Sequence, residues 1–72
     1  MLNLFDIENG ENCRVLWLPG PANLLRGLIS LSVDAPLFMV SNQGKNGVIV
    51  KKGEKSYAMS ADLAEYVRVE KE

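Results

Sequence analysis

The chain has 72 residues and a mass of 8.0 kDa, enough for one small domain over residues 1–72 and for no second core. Its 47% apolar and 24% charged residues, with eight basic and nine acidic side chains, are typical of a globular protein and unlike the basic composition of nucleic-acid-binding proteins. Cys13 is the only cysteine and histidine is absent. These counts exclude an internal disulfide, histidine-based catalysis and zinc sites that need imidazole.

The first half of the chain predicts a strand followed by a helix. Residues 13–18 are rich in strand formers and are stopped by two prolines and a glycine at 19–21. Pro21 suits the first turn of a helix, because its missing N–H would have no partner there. No apolar run approaches the roughly 20 residues of a membrane span, so we expect no bilayer crossing. We also expect no secretory signal, because the first thirteen residues contain no lysine or arginine.

Residues 22–31 change to the apolar period of a helix. The predicted buried face consists of Leu24, Leu28 and Leu31, with Leu25 and Ile29 beside it. Gly27 lies inside this helix, where glycine costs roughly 1 kcal/mol relative to alanine. Either the helix packs closely against a neighbour at Gly27 or the cost is not repaid.

The second half predicts strands at residues 37–41, 47–51 and 55–59, a helical turn at 61–65 that Ser60 caps, and a closing strand at 66–69. Gly53 occupies the first position of a two-residue turn, as a type II′ hairpin requires. The fold class is therefore mainly β: a small barrel of about five strands, with one amphipathic helix after the first strand and a short helical turn before the last. The predicted core comprises Val15, Leu18, Leu24, Leu28, Leu31, Val40, Ile49, Val50, Ala58, Leu63, Ala64 and Val67.

Several spaced motifs resemble a known family along nearly the whole chain. They are Gly10-Glu11-x-Cys13-x-Val15-x-x-Leu18, Leu25-x-x-Leu28-x-x-Leu31-x-Val33, Gly47-x-x-Val50-x-x-Gly53 and Ala58-Met59-x-x-x-Leu63-Ala64-x-x-Val67-x-Val69. This order resembles FeoA, the small accessory protein of the bacterial ferrous-iron transporter, whose SH3-like barrel also occurs in iron-dependent repressors. The loop after the helix departs from the family pattern, since Ser32 stands where the family usually has glycine and Pro36 is displaced by one position.

The resemblance implies a non-enzymatic, cytoplasmic accessory or regulatory protein of ferrous-iron uptake that contacts the GTP-binding transporter subunit FeoB. An alternative is a metal-responsive regulatory module, like the SH3-like domain of iron-dependent repressors, that acts in trans. As candidate partner contacts we single out Leu25 and Arg26 on the helix, and Lys51 and Lys52 on the second hairpin. We expect no nucleic-acid partner, and an uncovered edge strand would allow weak self-association.

Cys13 and Glu11 are the candidate metal ligands, together with Met39 or Met59. The alternative, which we favour, is that Cys13 is a small buried apolar residue, because one thiolate without imidazole falls short of any closed transition-metal site. We therefore expect no tightly bound cofactor and at most weak binding of Fe(II) or another divalent transition metal. The carboxylates of Asp6, Glu8 and Glu11 could bind a hard cation, but such runs are usually solvated loops.

Two further groups of side chains have a functional and a structural interpretation. The lysines on the hairpins are Lys45, Lys51, Lys52 and Lys55; they could contact an acidic partner surface or anionic lipid, or simply maintain solubility. Four of the five aromatic residues, Trp17, Phe38, Tyr57 and Tyr66, could stack on bases, but we favour packing in the core and at its rim. No serine has a base that could activate it, so the chain is not expected to be an enzyme.

Overall fold

A computed structural model describes all of residues 1–72, and its strands form one antiparallel sheet. The strands are β1 (Leu2–Asn3), β2 (Asn12–Trp17), β3 (Pro36–Asn42), β4 (Val48–Lys52), β5 (Lys55–Met59) and β6 (Arg68–Lys71). Their order in the sheet is β1-β6-β2-β3-β4-β5, so β1 and β5 lie at its two edges. The five predicted strands are all present within one or two residues of their predicted bounds, and β1 is an addition that the sequence pattern does not predict.

The helical segments are short. Single 3-10 segments occur at Leu4–Asp6, Gly20–Leu24 and Gly44–Asn46, and the α-helical turns are α1 (Leu25–Leu28) and α2 (Ala61–Ala64). None of the helices has the length and apolar character needed to cross a membrane. As predicted, Pro21 lies in the first turn of its helical segment. Ser60 immediately precedes α2, but its side chain makes no capping hydrogen bond, so the predicted cap is not formed.

The predicted buried face of the helix is wrong at two of its three positions. The side chains of Leu24 and Leu28 are 62% and 68% exposed, whereas Leu25 is 3% exposed and Ala22 is fully buried. The reason is that the segment starts as a 3-10 helix, whose period of three residues places Ala22 and Leu25 on the same side. The chain then leaves α1 through Ser30, which has a left-handed φ of 56°.

Gly27 makes no close contact that would explain its presence in α1. A β carbon built at this position meets no heavy atom within 4 Å. The conformational cost of this glycine is therefore not repaid by close packing.

The core consists of sixteen buried apolar side chains. They are Leu4, Ile7, Cys13, Val15, Leu18, Ala22, Leu25, Leu31, Leu37, Met39, Val48, Val50, Met59, Ala64, Val67 and Val69. Of the predicted core residues, Leu24, Leu28, Val40 and Ala58 are instead exposed, and Ile49 and Leu63 are only partly buried. In the strands the error concerns which side chains face inward. Met39 and Val50 form an inward-facing pair, so Ile49, next to Val50, faces outward, and Val40, which lies at a register irregularity of β3, is exposed.

The side chain of Asn42 fastens the N-terminal segment to β3. Its Nδ2 donates hydrogen bonds to the carbonyl oxygens of Phe5 (3.0 Å) and Ile7 (2.9 Å), and its backbone N–H donates to Oδ1 of Asn9 (2.6 Å). These bonds hold the fully buried side chains of Leu4 and Ile7 in the core. The sequence pattern predicts only a turn at the end of this segment.

The residues with a left-handed backbone agree with the sequence in the β4–β5 turn but not in the loop before β3. Gly53 has a φ of +63° and Glu54 a negative φ, the combination that defines the two central positions of the predicted type II′ hairpin. In the loop before β3, the left-handed residues are Ser30 and Asp34 rather than Ser32. The serine at position 32 therefore replaces the family's usual glycine without backbone strain.

Candidate partner-binding surface

An open cavity lies between the end of α1 and the β4–β5 hairpin, and we call it the α1–β5 groove. It encloses about 580 Å³ and is lined by Leu28, Ile29, Ser30, Lys52, Glu54, Lys55 and Tyr57. The tight turn at residues 53–54 pairs Lys52 with Lys55 across the hairpin, so both side chains lie at the same end of the groove. The chain turns at Ser30, two residues after α1, through a left-handed backbone conformation, and exposed Leu28 provides an apolar wall.

The cations of the α1–β5 groove make no ion pairs. The ion pairs of the structure are Arg14–Glu72 (3.2 Å) and Lys71–Glu11 (3.7 Å), both at the β2–β6 side of the sheet. The ammonium groups of Lys52 and Lys55 therefore share the groove with a single carboxylate, that of Glu54. An apolar wall beside two unpaired ammonium groups is suited to a partner that is both apolar and acidic.

The structure does not bring the four candidate partner contacts together. Leu25 is 3% exposed and lies in the core, so its side chain does not reach a partner, which corrects the prediction. Arg26 is exposed, and its Nε donates to Oδ1 of Asn23 at 2.8 Å. Lys51 faces the side of the sheet opposite to Lys52, because neighbouring strand residues alternate, and it lines a smaller depression with Phe38.

Sequence reasoning missed the exposure of Leu24 and Leu28, of which Leu28 lines the α1–β5 groove. Their spacing with Leu31 follows the period of an α-helix, and this pattern alone predicts burial. The Pro19-Gly20-Pro21 sequence marks where the helical segment begins, but it does not show that the segment starts as a 3-10 helix, so no sequence signal indicated the different buried face.

The candidate metal ligand Cys13 lies in the core, with 1% of its surface exposed. Burial, and to a smaller extent the negative charges of Glu72 and Glu11, raise the pKa of its thiol to about 11. The thiol is therefore protonated at neutral pH, whereas a metal needs the thiolate. The sulfur atoms of Met39 and Met59 belong to residues that are themselves buried.

The acidic candidates instead stabilise local backbone. The carboxylate of Asp6 accepts a hydrogen bond from the N–H of Asn3 (2.9 Å), and the carboxylate of Glu11 accepts one from the N–H of Glu8 (2.7 Å). No three His, Cys, Asp or Glu residues are grouped so that they could hold a metal ion. The donor set of this chain does not fit a transition-metal centre.

The aromatic side chains lie at the surface rather than in the core. Trp17 is 56% exposed, Phe38 37% and Tyr66 36%, and Tyr57 is partly buried in the α1–β5 groove. The ring of Tyr66 covers Gly20, where a β carbon would lie 3.6 Å from Tyr66 Cδ1. These aromatic side chains therefore pack at the rim of the core and not inside it.

Six antiparallel strands with short helical turns on one small core define the chain as a mainly β protein with an SH3-like barrel. A crystal structure described as the iron uptake regulatory protein FeoA superposes on it with a TM-score of 0.80. The alignment covers 99% of this chain and 96% of that one, at 25% sequence identity. No family model and no curated protein matches the sequence. The resemblance to FeoA and the predicted fold class are thus confirmed by the structure.

Proposed function

We propose that this protein is a non-enzymatic accessory or regulatory component of bacterial ferrous-iron uptake, acting in the cytoplasm through contact with the membrane transporter FeoB. The observation that carries the proposal is the likeness to FeoA over 99% of the chain with a TM-score of 0.80. A likeness of this extent includes the whole sheet and both helical turns, so it is not limited to a common barrel core.

The surface chemistry supports contact rather than catalysis. Leu28, which lines the groove, is 68% exposed, and Leu24, four residues before it, is 62% exposed. Exposed apolar side chains of this kind occur on surfaces that bind another protein. The chain's one thiol is buried and protonated, and no histidine is available as an acid or base. Binding is therefore the activity for which this chain has suitable residues.

Co-purification with the transporter tests the proposal. Affinity-tagged FeoB from the same genome would be solubilised in detergent and incubated with the purified chain, with an unrelated tagged membrane protein as the control. We expect the chain to be retained by FeoB alone. Failure of retention, with both proteins shown to be folded, would contradict the proposal, and iron-dependent DNA binding by the chain would favour the regulatory alternative.

A further inference from the structure

We infer that the open edge of β5, together with the α1–β5 groove, binds an extended acidic segment of a partner protein by adding it to the sheet as a strand. The inference rests on the proposed function only in that the chain acts by contact. The inference identifies the partner by its chemistry. The partner segment has backbone hydrogen-bonding groups without partners, an apolar side chain and carboxylates next to it.

The backbone of β5 has hydrogen-bonding groups without partners on its outer side. β5 is the last strand in the sheet order, and a two-residue turn makes its flanking residues, Lys52 and Lys55, a hydrogen-bonded pair. Pairs alternate along an antiparallel ladder, so Tyr57 also bonds to β4, while Ser56 and Ala58 direct their N–H and C=O groups outward. No backbone hydrogen bond outside the ladder involves Ser56 or Ala58, and both residues are exposed.

The opposite edge of the sheet is less suited to strand addition. β1 has two residues, whereas β5 has five, and a short edge strand is one of the ways in which proteins prevent pairing with another chain. The α1–β5 groove borders β5, and no residue of β1 lines it. The edge that is long enough to bind a strand is therefore the one with a shaped surface beside it.

The groove specifies the side chains of the added strand. Tyr57 and Lys55 point to the same side of the sheet, since they are two residues apart on β5, and both line the groove. A residue placed opposite Tyr57 would meet the apolar wall of Leu28. The next residue on that side would meet the ammonium groups of Lys55 and Lys52, so a carboxylate fits there.

A second copy of the chain is a poorer occupant than an acidic segment. Residues 55–59, which β5 of another copy would contribute, contain a lysine and no carboxylate. Their pairing would therefore leave all the groove's ammonium groups without partners. The observations favour a different protein, with an extended and acidic segment.

The test is an NMR titration of the full-length chain with a synthetic acetylated peptide. The peptide alternates threonine with valine in its first half and with glutamate in its second half, so that an antiparallel strand places valine at Tyr57 and glutamate at Lys55. We expect shift changes and slowed amide exchange at Ser56 and Ala58. A peptide with lysine in place of glutamate, and one N-methylated on its β5-facing edge, should each bind more weakly; equal binding by all three would overturn the inference.

Two neighbouring lysines provide matched variants. K52E should weaken binding of the acidic peptide by about two- to fivefold, as for the loss of an exposed ion pair. K51E, with the same charge change on the other face of the sheet, should weaken it much less. If both variants weaken binding equally, the effect is one of overall charge and the groove is not the site.

A58P removes an outward N–H of β5 without removing a ladder bond, a position that edge strands tolerate. With an unchanged melting temperature, it should abolish peptide binding; the N-methylated peptide tests the same contact without altering the protein. If A58P instead dissociates a dimer of the free chain, the edge binds a second copy and the inference is wrong.

The unmodified chain distinguishes this inference from the proposed function. If it binds the peptide but is not retained by FeoB, the proposed function alone is contradicted. If it is retained by FeoB but does not bind the peptide, this inference alone is contradicted.

Discussion

The backbone at Gly47 lies so close to Met59 that a β carbon on Gly47 would be 2.6 Å from the Met59 carbonyl oxygen. Gly47 has φ and ψ of 99° and −173°, a combination that glycine alone adopts without strain. It leads directly into β4, whose first residue, Val48, pairs with Met59. The close approach with which the chain enters the β4–β5 hairpin, and so the position of the groove beside it, therefore depends on Gly47.

Replacing Gly47 by alanine should strongly destabilise the fold. The backbone strain alone amounts to about 1–3 kcal/mol, and the contact with Met59 adds to it because a carbonyl in a ladder cannot move freely. Urea unfolding would measure the loss. The control is Gly44→Ala, which also has a left-handed φ but no heavy atom within 4 Å of the new β carbon, and which should cost only about 1–2 kcal/mol. Equal losses for the two variants would contradict the close approach.

Leu25 and Leu28 should differ sharply when each is replaced by alanine. Leu25 is in the core and its truncation should lower the free energy of unfolding by about 2–5 kcal/mol, while Leu28 is 68% exposed and its truncation should change it by less than about 0.5 kcal/mol. Thermal or urea unfolding of both variants decides between the two faces of the helical segment. A large loss in the free energy of unfolding for Leu28→Ala would show that the face predicted from the leucine spacing is the buried one.

The stability of the protein should fall between about pH 9 and pH 11 because of Cys13. Its thiol has a pKa of about 11 in the folded protein, raised from an ordinary value of 9.0 that the unfolded chain regains. In that interval the unfolded chain releases the proton while the folded chain retains it, so rising pH favours unfolding. Urea unfolding as a function of pH measures the effect. In Cys13→Ala this part of the pH dependence should disappear, and an identical profile for both proteins would show that the thiol is not buried as described.

Fe(II) and Zn(II) should bind the isolated chain only weakly. The one thiol is protonated and buried, and the carboxylates of Asp6 and Glu11 already accept backbone hydrogen bonds. Calorimetric titration of the metal-free protein, compared with Cys13→Ser, measures the affinity. A stoichiometric site with a dissociation constant below about 1 μM, or −8.2 kcal/mol, that Cys13→Ser abolishes would make Cys13 and Glu11 metal ligands after all.

The strands could be predicted from the sequence because their signals are local. The predicted strand at residues 55–59 has the bounds of β5, and Gly53 supplies the positive φ that its hairpin turn requires. The inward side of β3 could not be predicted, since Val40 and Met39 are both apolar and the sequence does not show which of them faces the core. A register irregularity between Met39 and Ser41 further disturbs simple alternation there.

The candidate surface was less predictable because it depends on contacts between distant segments. The basic character of Lys52 and Lys55 is visible in the sequence, but their position next to Leu28 follows from how the chain turns after α1. The apolar pattern placed Leu28 in the core, since exposed and buried leucines look alike when the helix type is unknown. The side-chain hydrogen bonds of Asn42 to Phe5 and Ile7 likewise join segments that no local pattern connects.

Uptake of radiolabelled Fe(II) by cells tests most directly whether the protein acts in ferrous-iron transport. The initial rate would be compared between cells that lack the chain, the same cells with the chain restored, and cells that lack FeoB. We expect loss of the chain to change the FeoB-dependent rate, and its restoration to return the rate to the wild-type value. An FeoB-dependent rate that is the same with and without the chain would contradict the proposed function.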